Sequence, residues 1–180
     1  AFKNRSWDVV GNLYTPDHFD QTRAYSAIIC VHPGSSVKEQ TAGLYANALA
    51  ESGFITLTFD ASFQGESGGE PRFLEDPATR VEDIRCAVDF LTTLKYVDRN
   101  RIGVLGVCAG GGYAVNASMT EKRIQAVVSV AGTNPSRAFR ESNPVEVLKA
   151  VADQRTAEAN GAEKRINNWI PNSAQEALEA

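Results

Sequence analysis

The sequence predicts an α/β fold: a mostly parallel, doubly wound sheet that begins with an antiparallel hairpin. Three observations carry this. Short apolar runs at 25–32, 54–60, 102–107 and 124–131 alternate with helical patterns at 41–52, 76–94 and 110–119. Alternation of that kind calls for parallel strands joined by crossover helices, with both faces of the sheet covered. The run Ile102–Val107 passes directly into Cys108-Ala-Gly-Gly-Gly112, a strand-to-helix turn built from small residues. The length of 180 residues, 43% of them hydrophobic, is enough for one good core.

Taken in order, residues 2–14 alternate weakly and contain Gly11-Asn12, which reads as a hairpin of two strands. Tyr25–His32 is a buried strand. Thr41–Ser52 has apolar residues at 44, 45, 48 and 49, a helical stripe, and Gly53 stops it. Phe54–Asp60 is the next strand, and residues 61–76 form a polar, glycine-rich loop. Asp76-Pro77 opens a helix. Its carboxylate can cap, its proline suits the first turn, and positions 81, 84, 88, 91 and 94 mark one apolar face. Ile102–Val107, Gly110–Met119 and Ile124–Ala131 follow as strand, helix and strand. Nothing strand-like comes after residue 132. Asn143-Pro144 starts a helix to about Asn160, Gly161 ends it, and Ser173-Ala-Gln-Glu176 is a capping box opening another.

Composition excludes several classes. There are 18 Lys and Arg against 22 Asp and Glu, a net charge of −4, and no basic block of the kind that binds nucleic acid or anionic membrane. No apolar run approaches the roughly 20 residues that span a bilayer. Three cysteines, an odd and low number, argue against a disulfide framework, and the polar start Ala1–Ser6 has no leader-like apolar stretch. The expectation is a reducing, cytoplasmic setting. No cofactor and no metal are expected.

Cys108 is the candidate nucleophile. It sits at the tip of the turn, with Gly106 two residues before it and Gly110 two after, the pattern of a nucleophile elbow with cysteine in place of serine. The glycines admit a turn too tight for side chains. The position at a helix N-terminus offers N–H groups and a positive dipole end, which favour a thiolate. Cys30 lies in the apolar run Ala27–Val31 and Cys86 on a helical stretch, so both read as structural thiols. A dinucleotide-binding reading of the glycines fails. Cys108 would occupy the place of the glycine that admits the pyrophosphate, and Ile124–Val128 stands where an acidic ribose ligand is expected.

Four motifs in order resemble the dienelactone-hydrolase-like group of the α/β-hydrolases. They are His32-Pro-Gly34, Asp60-Ala-Ser-Phe-Gln-Gly-Glu-Ser67, Asp98-Arg-Asn-Arg-Ile-Gly103 and the elbow itself. The resemblance covers about residues 1–135 and implies the N-terminal part of a hydrolase core, with 136–180 as the start of a helical cap or insertion. It implies an oxyanion hole from the Ala109 N–H and from Gly34 or Ser35. His32 would orient that loop rather than act as base, and Glu39 is a candidate contact of the thiol. The turn Gly65–Gly69 reads as structural. His18, in a Pro-Asp-His-Phe-Asp turn, reads as a surface residue. In this fold the acid and the histidine follow the nucleophile in chain order. No histidine follows Cys108 here. The expectation is therefore a C-terminal segment, on the same or a second chain, that carries both.

The leading function is hydrolysis of an ester, lactone or thioester through a cysteine acyl-enzyme, with a small-molecule acyl substrate. Two alternatives stand beside it: a glutamine-amidotransferase or DJ-1-like cysteine enzyme, and a catalytically silent hydrolase-fold binding protein. Homo-oligomerisation is left open.

Overall fold

The computed structural model describes residues 1–141, 143–166, 171 and 173–179. The chain divides into two compact units, Ala1–Thr133 and Asn134–Ala180. In the first, the elements are β1 (Phe2–Asn4), β2 (Trp7–Val9), β3 (Gly11–Tyr14), β4 (Tyr25–Val31), α1 (Thr41–Glu51), β5 (Ile55–Phe59), α2 (Pro77–Thr93), β6 (Val97–Val107), α3 (Ala109–Ser118) and β7 (Ile124–Val130). The second holds α4 (Pro135–Glu141), α5 (Pro144–Ala159) and α6 (Ala174–Glu179). Among the described residues no helix is long and apolar enough to cross a membrane.

The main sheet has the order β3-β5-β4-β6-β7. β3 pairs antiparallel with β5, and the remaining pairs are parallel. The predicted fold class is therefore the observed one. The antiparallel hairpin is present, but its turn lies at Arg5-Ser6, between β1 and β2, and not at Gly11-Asn12. Arg5 takes the left-handed conformation that the turn needs (φ 53°). Gly11 has a different task. A Cβ there would lie 2.6 Å from the Thr58 carbonyl oxygen, so glycine lets β3 close onto β5.

The middle of the sheet is buried from both sides, and β4 shows how. Ala27, Ile29 and Val31 join the large core with Val81, Ile84, Val88 and Leu91 of α2 and Tyr113, Ala114 and Ala117 of α3. Cys30 points the other way, onto Ala42 and Ala46 of α1. This is the period of two expected of a strand buried on both faces. The buried side of α1 is Ala42, Gly43, Ala46 and Ala50, while Leu44 is 73% exposed. Of the predicted stripe at 44, 45, 48 and 49, Tyr45 and Leu49 pack half-buried against this cluster, while Leu44 and Ala48 lie outside the buried face. Small residues set it, because α1 approaches closely enough that a Cβ on Gly43 would lie 2.8 Å from the Lys38 carbonyl oxygen. α2 keeps its predicted face, and the Asp76 carboxylate caps it by accepting the Ala78 N–H at 3.2 Å.

β7 forms the edge of the sheet beyond β6, with Val127 and Val128 37% and 50% exposed. On the α1 side an apolar groove of about 400 Å³ runs past Ile28, Leu49, Phe54, Leu105, Ala126 and Val128. In the second unit, α5 begins at the expected Pro144 and gives way after Asn160 to Gly161 at φ 94°. Ser173 accepts the Glu176 N–H at 3.1 Å, as a capping serine does. α4 had no counterpart in the sequence reading; it is a helix of 7 residues opened by Pro135.

Candidate active site

Cys108 is the residue on which β6 turns into α3, and its backbone is at φ 53°, ψ −120°. An L-residue holds a positive φ of this kind only where its surroundings impose it. Three backbone bonds do so. The Cys108 N–H donates to Val130 O, and its carbonyl accepts the N–H groups of Gly111 and Thr133, all at 3.0 Å. The glycines make the turn sterically open. A Cβ on Gly106 would sit 2.2 Å from the Gly110 carbonyl oxygen. One on Gly110 would sit 2.5 and 2.6 Å from the carbonyl oxygens of Val31 and His32. The start of α3 therefore lies directly against the end of β4, where the chain leaves through Pro33-Gly34-Ser35.

The thiol is half-buried, with Sγ 3.9 Å from Thr133 Oγ1. Ala109 is the first residue of α3, so its N–H has no acceptor inside the helix and stands at the positive end of the helix dipole. Gly34 is half-buried, and Ser35 is exposed and bent to φ 54°. A thiol at the N-terminus of a helix is placed where attack on an acyl carbon, and hydrogen bonding of the resulting oxyanion by backbone N–H groups, are chemically feasible.

His32 is fully buried, and both ring nitrogens are engaged. Nδ1 donates to the Pro33 carbonyl at 2.6 Å, and Nε2 accepts the Ala61 N–H at 3.0 Å. Burial, then the Arg80 charge, drive its pKa down to about 3. The ring is thus a neutral pin joining the turns after β4 and β5. Arg80, 3% exposed, packs across that ring with Nη1 3.0 Å from Nε2, and its Nη2 donates to the His32 carbonyl at 2.7 Å. Its guanidinium also lies 5.1 Å from the centre of the Tyr113 ring on α3, and Glu75 Oε1 is 3.4 Å from its Nε. Arg80 so braces the end of β4 and the elbow helix from one point. His18 is exposed, at φ 55°.

The burial of His32 as a neutral ring has a pH consequence. Unfolded, the ring takes up a proton near pH 6.5; folded, it does so only at about pH 3. Between those values the unfolded chain binds more protons, so stability rises with pH and is lost as pH falls from 6.5. Urea unfolding at pH 7 and pH 5 should show this loss, up to about 1.4 kcal/mol per unit. Carboxylates titrate lower, so the loss should shrink in His32→Asn. An equal loss in both proteins would contradict the assignment.

Lys38 and Asp60 form a second buried pair, with side chains 3% and 1% exposed and Nζ to Oδ2 at 2.8 Å. Asp60 also accepts the N–H groups of Lys38 and Glu66 at 2.8 and 2.9 Å. Burial pushes its carboxyl up, but the bonds from Lys38 and the two amides outweigh this and hold it below the usual range. Glu39 is exposed, and its carboxylate pairs with Lys38 Nζ at 2.8 Å. Within the structure, then, Glu39 is brought to Lys38, while Thr133 is what stands by the sulfur. Lys38→Met leaves the Asp60 carboxylate buried without a counter-charge and should cost about 3–5 kcal/mol in urea unfolding. A cost under about 1 kcal/mol would show that the pair is not what secures these turns. A third cluster ties the hairpin to α2: Asp83 accepts from Asn4 Nδ2, Ser62 N and Ser62 Oγ at 2.6, 2.8 and 2.6 Å. Among the described residues no group of three or more His, Cys, Asp or Glu is placed to hold a metal ion.

Comparison with known proteins places this geometry in a family. The PETase family model, described as PET hydrolase-like, matches residues 7–180. The chain belongs to that family. Among solved structures, the hypothetical protein PA2218 from Pseudomonas aeruginosa superposes with a TM-score of 0.82 at 35% identity, over 99% of this chain and 59% of that one. The protein YcjY of Escherichia coli K12 is 47% identical over 173 residues, 92% of this chain and 56% of its own. The thiohydrolase aneE of Aspergillus aculeatus is 32% identical over 131 residues, 73% of this chain and 41% of its own. The chain thus spans about half the length of the relatives it matches. The PET hydrolase-like membership agrees with the α/β-hydrolase architecture drawn from the four motifs.

Proposed function

We propose that the protein is an acyl hydrolase of an ester, lactone or thioester, with Cys108 as the nucleophile. The carrying observation is the backbone of Cys108: a non-glycine residue held at φ 53° between β6 and α3, with its thiol half-exposed. Strain of this kind persists where the surroundings over-determine it, and such places cluster at reactive groups. The thiolate attacks the acyl carbon, an S–C bond forms, and the oxyanion is held by the Ala109 N–H with a donor from Gly34 or Ser35. Collapse expels the alcohol or thiol, which takes a proton from a general acid. Water, activated by the same group as base, then hydrolyses the acyl-thioester and restores the thiol.

That acid–base group is a histidine outside these 180 residues. Both histidines of the chain precede Cys108, one exposed and one with its ring nitrogens occupied. Relatives about twice as long leave room for the histidine and its partner carboxylate. The similarity to a thiohydrolase supports a thioester among the substrate classes. A nitrophenyl ester mixed with the full-length protein should release a burst of nitrophenolate stoichiometric with Cys108, followed by slower turnover. A Cys108 inert to acylation and to thiol reagents would instead support a silent binding protein on this fold.

A further inference from the structure

We propose that Thr133 is a further residue of this site, donating its hydroxyl proton to the Cys108 sulfur in the thiolate state; this rests on the nucleophile reading above. Three observations support it. Thr133 Oγ1 lies 3.9 Å from Sγ and is the side-chain hydrogen-bond partner seen for that sulfur among the described residues. Thr133 is exposed, so its side chain is not there to fill the core. And the turn after β7 is built to bring it in.

That construction is visible in the backbone. Ala131 is bent to φ 46°, and the Thr133 N–H donates to the Cys108 carbonyl at 3.0 Å. The first turn of α3 is bare where this loop crosses it. A Cβ on Gly111 would lie 2.4 Å from Ser129 Oγ and 3.0 Å from the Gly132 Cα. A Cβ on Gly112 would lie 2.3 Å from the Thr133 carbonyl oxygen. Gly106 and Gly110 open the turn; Gly111 and Gly112 serve a separate purpose, letting the 131–133 loop lie flat on α3 with Thr133 over the sulfur. A hydroxyl donor favours the charged form of its partner. A contact of this length in the free protein shortens as charge develops.

The test is the pH dependence of Cys108 alkylation by iodoacetamide, followed by peptide mapping, in wild type, Thr133→Val and Thr133→Ser. Valine keeps the shape and β-branching and removes only the donor. T133V should alkylate about fivefold more slowly at pH 7, with the profile midpoint moved to higher pH, while T133S follows wild type. A reactive Cys108 whose rate and midpoint are the same in T133V overturns this inference and leaves the nucleophile reading intact. A wild-type Cys108 that resists alkylation overturns both.

Discussion

Cys108→Ala should abolish the nitrophenolate burst and lower turnover by about four orders of magnitude, while the protein stays folded. Neither of the other two thiols in these 180 residues can take over. Cys30 is fully buried and burial pushes it up to about 12; burial, then Glu82, Asp89 and Asp83, push Cys86 up to about 11. Cys108→Ser keeps the geometry but offers a weaker nucleophile, and should fall between the two. Cys108→Gly makes the sharper point. Glycine accepts φ 53° without penalty, so this variant should lose all activity and gain about 1 kcal/mol in urea unfolding. A residue whose removal stabilises the fold and ends the chemistry is one retained for function. A Cys108→Gly variant less stable than wild type would show that the side chain contributes packing instead.

Gly106→Ala should be the most damaging single-methyl change in the elbow. Its Cβ would sit 2.2 Å from the Gly110 carbonyl oxygen and 2.6 Å from the Gly111 nitrogen. Both are backbone atoms, so relief requires moving the whole start of α3. α3 in turn cannot retreat freely, because Gly110 already lies against the end of β4 and Tyr113 against Arg80. A loss of about 3 kcal/mol or more is expected, together with loss of acyl transfer. Gly53→Ala is the control. It has φ 97° but nothing within 4 Å, so it should cost only about 1 kcal/mol and spare activity. Equal costs at the two positions would mean that conformational preference alone, and not the close approach of helix and strand, explains the glycine at 106.

How far these features were legible in the sequence differs from residue to residue. The sheet could be read because its strands are short apolar runs, and the elbow because glycines at 106 and 110 flank a reactive residue at a strand-to-helix junction. The β1–β2 turn was misplaced because Arg5 takes a conformation usually left to glycine, while Gly11 is needed for close packing against β5. Only the Tyr45 and Leu49 side of the α1 packing face was read from the pattern, because the fully buried positions are alanine and glycine, which weigh little in a hydrophobic pattern. Arg80 and Asp83 carried a usable signal: they share the helix face of Ile84, Ala87 and Leu91, at the spacing that buries a side chain. A charge on such a face announces a partner, though not its identity. Lys38 and Thr133 gave no signal of that kind. Each sits in a loop, and its partners, Asp60 and Cys108, lie 22 and 25 residues away in the chain.

In the proposed reaction acyl groups pass through the sulfur of Cys108. Its most direct test is to mix the full-length protein with a nitrophenyl acetate, quench in acid within the burst, and locate the added acetyl group by peptide mapping. One acetyl per protein is expected, on the peptide containing Cys108, formed in T133S and absent from Cys108→Ala. An acetyl group on another residue, or turnover with no acyl-protein at any quench time, would contradict it.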